Sequence, residues 1–234
     1  MEPQVVPSLS RKRRKGALAQ RCPLCERLKT NIFLREPGRA YYRCPDCRLI
    51  FADPAALPSP EEEKQRYLLH RNSPDDQNYR EFLSRLAGPL AQHLGNKPLA
   101  GLDFGCGPGP ALSVILEEMG YLMETYDPFF ADNPSALSKQ YDFVTCTETI
   151  EHFHFPGKEW SLLLSIIKPG GWLGIMTKMV ADPDNENAFA GWHYRTDFTH
   201  VSFFSKETFR YLSKRDGLTV QFIDSDVILL KKHR

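Results

Sequence analysis

The chain has 234 residues, 41 % hydrophobic and 25 % charged, with a net charge of +1, the balance of an ordinary globular protein. That length holds one sizeable α/β domain plus something small. The near-neutral total makes no argument for nucleic acid, and no stretch approaches the roughly 20 apolar residues of a membrane span. The charge is uneven, however: six of the 30 basic residues lie in the first 21 positions against Glu2 alone, leaving 24 basic and 28 acidic residues beyond them.

Residues 1–20 read as a disordered basic tail in which Pro3, Pro7, Ser8 and Ser10 precede Arg11-Lys12-Arg13-Arg14-Lys15. Such a run is either an arm attracted to RNA or membrane, or a solvated tail. No apolar stretch follows it, so it is not a secretory signal, and the cytoplasm is the default compartment, where cysteines stay reduced. Cys22-Pro23-Leu24-Cys25 and Cys44-Pro45-Asp46-Cys47 follow, separated by 18 residues, the spacing of a zinc ribbon. Four thiolates would close a tetrahedral shell around a structural Zn²⁺ and leave no position open for catalysis; a redox pair or disulfides are the alternative readings. Between the pairs, 30–34 and 40–43 read as short strands around a turn at Glu36-Pro37-Gly38-Arg39. A ribbon over 21–56 is too small to be stabilised by core burial alone, and the metal would supply the deficit.

A proline-rich joint at 53–60 opens a helical segment over 57–98. One helix runs from Glu61 to Leu69 with Ser59 as its cap. A second runs from about residue 76 to 93, with Tyr79, Phe82, Leu83, Leu86 and Leu90 on one face. The apolar stretch from Leu99 to Phe104 then reads as a buried strand, followed at once by Gly105, Gly107 and Gly109. Pro110 suits a first helical turn, and a helix continues to Met119. Strand, glycine turn and helix together bring bare backbone N–H groups and a positive helix end to a ligand. A dinucleotide fingerprint would need its third glycine at position 110, where proline stands.

The next strand, from Tyr121 to Tyr126, ends in Asp127-Pro128. An acid there is within reach of a ribose, whose two hydroxyls can donate to one carboxylate; it could equally cap a turn or helix. Only about 13 residues separate it from the strand 141–146, too few for a full helix–strand pair. Thr147-Glu148-Thr149-Ile150-Glu151-His152 follows at the crevice end of that strand. His152 is the natural proton acceptor, unless it caps the next element. Residues 160–167 read as a helix, Lys168-Pro169-Gly170-Gly171 as a tight turn, and 172–177 as a buried strand. The connection 178–204 is long enough to be functional. Within it, Asp197 could orient His200, or His200 could simply bond backbone in a packed loop. A helix over 205–215 and strands at 218–223 and 227–230 close the chain. Cys106 and Cys146 read as inert packing rather than nucleophiles.

The stretch Leu102-Asp103-Phe104-Gly105-Cys106-Gly107-Pro108-Gly109 resembles motif I of the class I S-adenosylmethionine-dependent methyltransferases. Glu151-His152 resembles the post-strand motif of their small-molecule members, and Lys168-Pro169-Gly170-Gly171 is among their most recurrent signatures. The resemblance covers roughly 99–234. It implies an α/β, Rossmann-like sheet of the seven-stranded methyltransferase type, preceded by the small zinc ribbon. Either the sheet is reduced after its second strand, or Phe129 and Phe130 cover the adenine in an unusual way. By the same resemblance, S-adenosylmethionine would be bound by Asp103, Phe104, Gly105, Cys106, Gly107, Asp127, Pro128, Thr147 and Glu148. His152 or His200 would serve as base, and Cys22, Cys25, Cys44 and Cys47 would hold structural zinc. In similar proteins the preceding helices often cover the cofactor pocket; here they could instead only pack the ribbon onto the core. The expected reaction is methyl transfer to an O, N or C nucleophile of a small metabolite. The alternatives are an RNA acceptor gripped through ribbon and basic arm, or a binding module that has lost activity. The missing Asn-Pro-Pro-Tyr after the fourth strand speaks against methylation of an exocyclic base amine.

Overall fold

In a computed structural model, residues 20–69, 72–95 and 98–233 are described. The basic run at 11–15 and nearly all of the expected tail lie outside them. The two cysteine pairs build the same turn twice. Cys22 N–H donates to Arg27 O and Cys44 N–H to Leu49 O, each at 2.9 Å. The residue after each second cysteine, Glu26 or Arg48, is left-handed, with φ of 61° and 66°. Between and after these turns run β1 (Asn31–Glu36), β2 (Arg39–Arg43) and β3 (Ile50–Ala52), in antiparallel order.

Two helices lead into the larger layer. In α1 (Pro60–Tyr67), Ser59 and Glu62 satisfy each other's backbone donors in a capping box. In α2 (Gln77–Leu94), the Asp76 carboxylate caps Asn78 and Tyr79. Both helices begin within a few residues of the expected positions. Then come β4 (Ala100–Phe104), α3 (Ala111–Glu118), β5 (Leu122–Tyr126), β6 (Tyr141–Thr147), α4 (Pro156–Ser165), β7 (Ile167–Met176), α5 (Glu186–Ala190), β8 (Ser202–Phe203), α6 (Lys206–Asp216), β9 (Leu218–Phe222) and β10 (Val227–Lys232).

The central sheet has the order β5-β4-β6-β7-β10-β9. Its first four strands are parallel, and β10 runs antiparallel to both β7 and β9. A single 3₁₀ turn, Pro134–Ser138, replaces the helix–strand pair between β5 and β6, so this sheet has six strands and is the reduced form. Its two faces are covered separately. Leu83, Leu86 and Leu90 of α2 pack with Leu112, Leu116, Phe143 and Leu229 on one side. On the other, Leu102, Val144, Ile175 and Ile228 share one buried cluster with Cys22, Leu24, Leu49 and Phe51 of the ribbon.

Three expectations need correction. Lys168 to Gly171 is not a turn after a helix. It bulges out of the first half of β7: Tyr141 pairs with Ile167 and Phe143 with Trp172, so four residues stand against one on β6. The helix α4 ends before it and starts earlier than expected, at Pro156. The connection 178–204 also has structure of its own, in α5, a 3₁₀ turn at His193–Thr196 and β8. β8 pairs with β3, giving a four-stranded sheet of order β1-β2-β3-β8.

Candidate active site

The glycine turn is tied from three sides. Gly105 lies at φ +76°, and a Cβ there would stand 2.2 Å from Thr149 Cγ2. Gly105 N–H donates to Tyr126 O at 2.7 Å, and Gly107 N–H donates to Asp127 Oδ2 at 3.0 Å. Asp127 Oδ1 accepts from the N–H groups of Phe129 and Phe130 at 2.8 and 3.1 Å. Asp127 therefore fills the turn-capping role weighed from sequence and also borders the ligand space. Asp103 is only 4 % exposed and accepts from the hydroxyls of Thr145 at 2.8 Å and Ser113 at 3.4 Å. Burial pushes its carboxyl up to about 6; the two hydroxyls oppose the shift and the Asp127 charge adds to it.

A cavity of about 500 Å³ opens where β4, β5 and β6 end, the crevice in which open α/β sheets bind ligands. Its wall includes Asp103, Phe104, Gly105, Cys106, Gly107, Asp127, Pro128, Thr147, Glu148, His152 and His200, so every residue singled out from sequence for donor or base lies on one surface. The helices before β4 contribute Glu63 and Tyr67 from α1, and Tyr79 and Leu83 from α2. Both helices therefore cover the cavity. The Tyr67 ring meets His152 edge-on at 5.1 Å. Glu63 and Tyr67 escaped sequence reasoning because α1 carries no motif, and Tyr79 passed for part of an apolar stripe. Among the described lining residues are six acids, Glu63, Asp103, Asp127, Glu148, Glu151 and Glu159, and no lysine or arginine. Burial pushes the Cys106 thiol up to about 12 and raises that of the fully buried Cys146 well above its ordinary value, so both stay protonated and inert.

The far end of the cavity is a compact titratable group. Glu148 sits at φ +46°, a costly backbone for a non-glycine residue, held by its N–H donating to Met176 O at 2.7 Å. Its Oε1 is buried with no hydrogen-bond partner among the described residues; burial first, and Glu151 second, push its carboxyl up to about 8. Glu151 is 1 % exposed; its Oε2 accepts from Thr177 at 3.0 Å and its Oε1 from the Tyr194 hydroxyl. His152 Nδ1 lies 3.0 Å from Thr199 O, and His200 Nδ1 lies 2.6 Å from Tyr194 O. A carbonyl oxygen only accepts, so Nδ1 of each ring carries the proton and Nε2 is the basic atom. Burial lowers the His200 pKa against the opposing pull of Glu151. The two rings stand 4.8 Å apart.

The Asp197 carboxylate does not orient the His200 ring, contrary to the sequence reading, although the Asp197 carbonyl accepts from the His200 backbone N–H at 3.2 Å. Its carboxylate accepts from Arg66 of α1 at 2.6 and 2.9 Å, and from the backbone and hydroxyl of Thr199 at 3.0 and 2.7 Å. The Tyr194 carbonyl sets the His200 ring, while Asp197 fastens the connection to α1.

In the ribbon, Cys22 and Cys47 Sγ are 3.5 Å apart, as are Cys25 and Cys44 Sγ. All four sulfurs lie within 4.8 Å of one another and none is in a disulfide. A tetrahedron of Zn–S bonds of about 2.3 Å has edges of about 3.8 Å, so the four fit the ribbon expected from their spacing. Among the described residues no helix is long and apolar enough to cross a membrane.

A family model described as a methyltransferase domain matches residues 69–221. No curated protein sequence matches the chain. Among solved structures, the chain is similar to an O-methyltransferase family protein from Burkholderia thailandensis, with 16 % identity, a TM-score of 0.47, and 73 % of this chain and 62 % of that one covered. It is also similar to the PH0226 protein from Pyrococcus horikoshii, with 16 % identity, a TM-score of 0.46, and 73 % and 99 % covered. A third is CalO1, a methyltransferase in calicheamicin biosynthesis, with 14 % identity, a TM-score of 0.43, and 67 % and 56 % covered. The chain thus spans under two thirds of the length of the Burkholderia protein and of CalO1.

Proposed function

The chain belongs to the methyltransferase domain family, of the class I S-adenosylmethionine-dependent type, and from that premise we propose that it methylates a nucleophilic atom of a small metabolite. The observation that carries this reading is the cavity wall, with six acids and no lysine or arginine among its described residues. Such a wall attracts a cationic donor and repels a polyphosphate chain, which favours a small acceptor over RNA.

When bound, S-adenosylmethionine supplies a methyl group already activated on a positive sulfonium. The residues present fit it. Asp103 offers a buried carboxylate to the cationic methionine end, and the Gly107 face of the turn carries no Cβ to block approach. Asp127 retains acceptor capacity for the ribose hydroxyls beyond the backbone bonds it makes. Phe104, Cys106 and Pro128 shape the same wall, Thr147 and Glu148 border the reacting end, and Phe129 and Phe130 offer ring faces beside Asp127. Alignment and exclusion of water are then the main demands on the protein, and α1 and α2 provide the cover. His152 and His200 present basic Nε2 atoms where an acceptor would lose its proton. Cys22, Cys25, Cys44 and Cys47 hold a structural Zn²⁺ in a ribbon over 21–56, with 57–98 as a helical cap and 99–234 as the methyltransferase unit.

Titration calorimetry of the full chain with S-adenosylmethionine tests the reading. Binding is expected, with its loss in Asp127→Ala. A folded wild-type chain that releases no heat with the donor overturns it.

A further inference from the structure

We propose that Glu151, His152 and His200 form a site for one divalent transition-metal cation at the acceptor end of the cavity, and that the acceptor atom is oxygen. The inference rests on the methyltransferase reading for its purpose, and on the geometry of three side chains for its substance. One carboxylate oxygen and two imidazole nitrogens lie within 4.8 Å of one another, all three on the cavity wall. Two imidazoles and one carboxylate are a donor set for first-row divalent ions, and one that leaves coordination positions open.

The surroundings are those of ligands rather than of free bases. Metal-bound histidines characteristically donate their second ring N–H to a backbone carbonyl, and metal-bound carboxylates are themselves hydrogen-bonded. Here both Nδ1 atoms meet carbonyl oxygens, of Thr199 and Tyr194, which leaves Nε2 as the ligand atom of each ring. Glu151 is held by two hydroxyls, those of Thr177 and Tyr194. Tyr194 therefore braces two of the three, through its carbonyl to His200 and its hydroxyl to Glu151. Beside them the buried Glu148 Oε1 has no partner among the described residues, as expected of a carboxylate next to a position meant for positive charge.

A cation held there recruits a hydroxyl oxygen of the acceptor and makes its proton easier to lose. That proton passes to water through the cavity mouth, the O–C bond forms as the S–C bond of the sulfonium breaks, and the neutral thioether leaves with no change of oxidation state. The histidines then serve the acceptor through the ion instead of taking the proton themselves.

The test uses the full chain with its ribbon loaded with zinc and Mn²⁺ as the probe, since a hard ion is a poor match for four thiolates. Loss of the free-ion electron paramagnetic resonance signal on titration reports binding. One equivalent is expected to bind, with affinity falling at least about 10-fold in Glu151→Gln and His200→Gln. A fall of about 10- to 100-fold is expected in Tyr194→Phe, which keeps the ring in the core and removes only the brace. Thermal melts confirm that each variant folds. A wild-type chain that takes up neither Mn²⁺ nor Co²⁺ beyond its ribbon equivalent overturns the site, as does unchanged binding in the folded variants. Calorimetry with S-adenosylmethionine on the same sample separates the two readings. Donor binding without Mn²⁺ uptake rejects this site alone, and Mn²⁺ uptake without donor binding rejects the methyltransferase reading alone.

Discussion

Asp103 is a carboxylate the fold holds at a cost. Its pKa is pushed up to about 6 by burial, against about 3.9 in an unfolded chain. The unfolded state therefore releases this proton first as pH rises, and stability from this group falls between about pH 4 and pH 6. A cationic donor favours the ionised form, so affinity for S-adenosylmethionine should rise over the same interval. Calorimetry at pH 5 and pH 7 should show the rise in the wild type and its absence in Asp103→Asn. Asp103, the alternating glycines and Asp127 were legible in the sequence because neighbours along the chain set their environment, a strand end running straight into a turn. Tyr67, Glu63 and the brace supplied by Tyr194 were not. Each reaches the cavity from an element whose approach is fixed by packing far along the chain, and no local pattern encodes that. Asp197 shows the converse error: nearness in sequence to His200 suggested a bond, while the loop turns its carboxylate toward Arg66.

At the scale of elements, α1 is a short helix with a strong start. Its Ser59–Glu62 box is the main local reason eight such polar residues stay helical, since only Glu63 among them is buried. Replacing Ser59 with Ala should cost about 1 kcal/mol, or about fivefold faster opening of the α1 amides in hydrogen exchange. Because α1 carries Glu63 and Tyr67 over the cavity, affinity for the donor should weaken in parallel; an exchange rate unchanged across α1 would show that its tertiary contacts, chiefly Arg66 on Asp197, fix the helix instead. Caps and periodicity made the helices and parallel strands readable. The bulge at Lys168–Gly171 was not readable, because proline and paired glycine signal a departure from regular pairing without saying whether it ends a strand or interrupts one. β8 escaped for another reason: a two-residue strand has no periodicity, and its partner lies about 150 residues away.

Across the whole molecule, the ribbon and the central sheet share one buried cluster and so should melt together. Removing zinc with a chelator should lower the melting temperature of a single cooperative transition, measured by differential scanning calorimetry. Two separate transitions, the upper one unmoved by the chelator, would show the ribbon to be an independent appendage. The six-stranded sheet places all donor-side candidates at the carboxyl ends of β4, β5 and β6, while the connection 178–204 leaves it to pair with the ribbon and returns. In doing so it passes the end of the cavity lined by His152 and His200.

That excursion runs through Val201, whose carbonyl accepts from Ala52 of the ribbon strand β3 and whose N–H donates to the carbonyl of Glu151, at 2.9 and 2.8 Å. Three residues joined by these two backbone hydrogen bonds thus link a thiolate-built module to the segment that carries Glu151 and His152. An oxidant that sealed those sulfurs into disulfides would expel the ion, loosen the ribbon sheet and slacken the seat of His200. On the proposed reading, methyl transfer should then fall without any reacting group having been modified, as a circuit goes dead when its fuse melts.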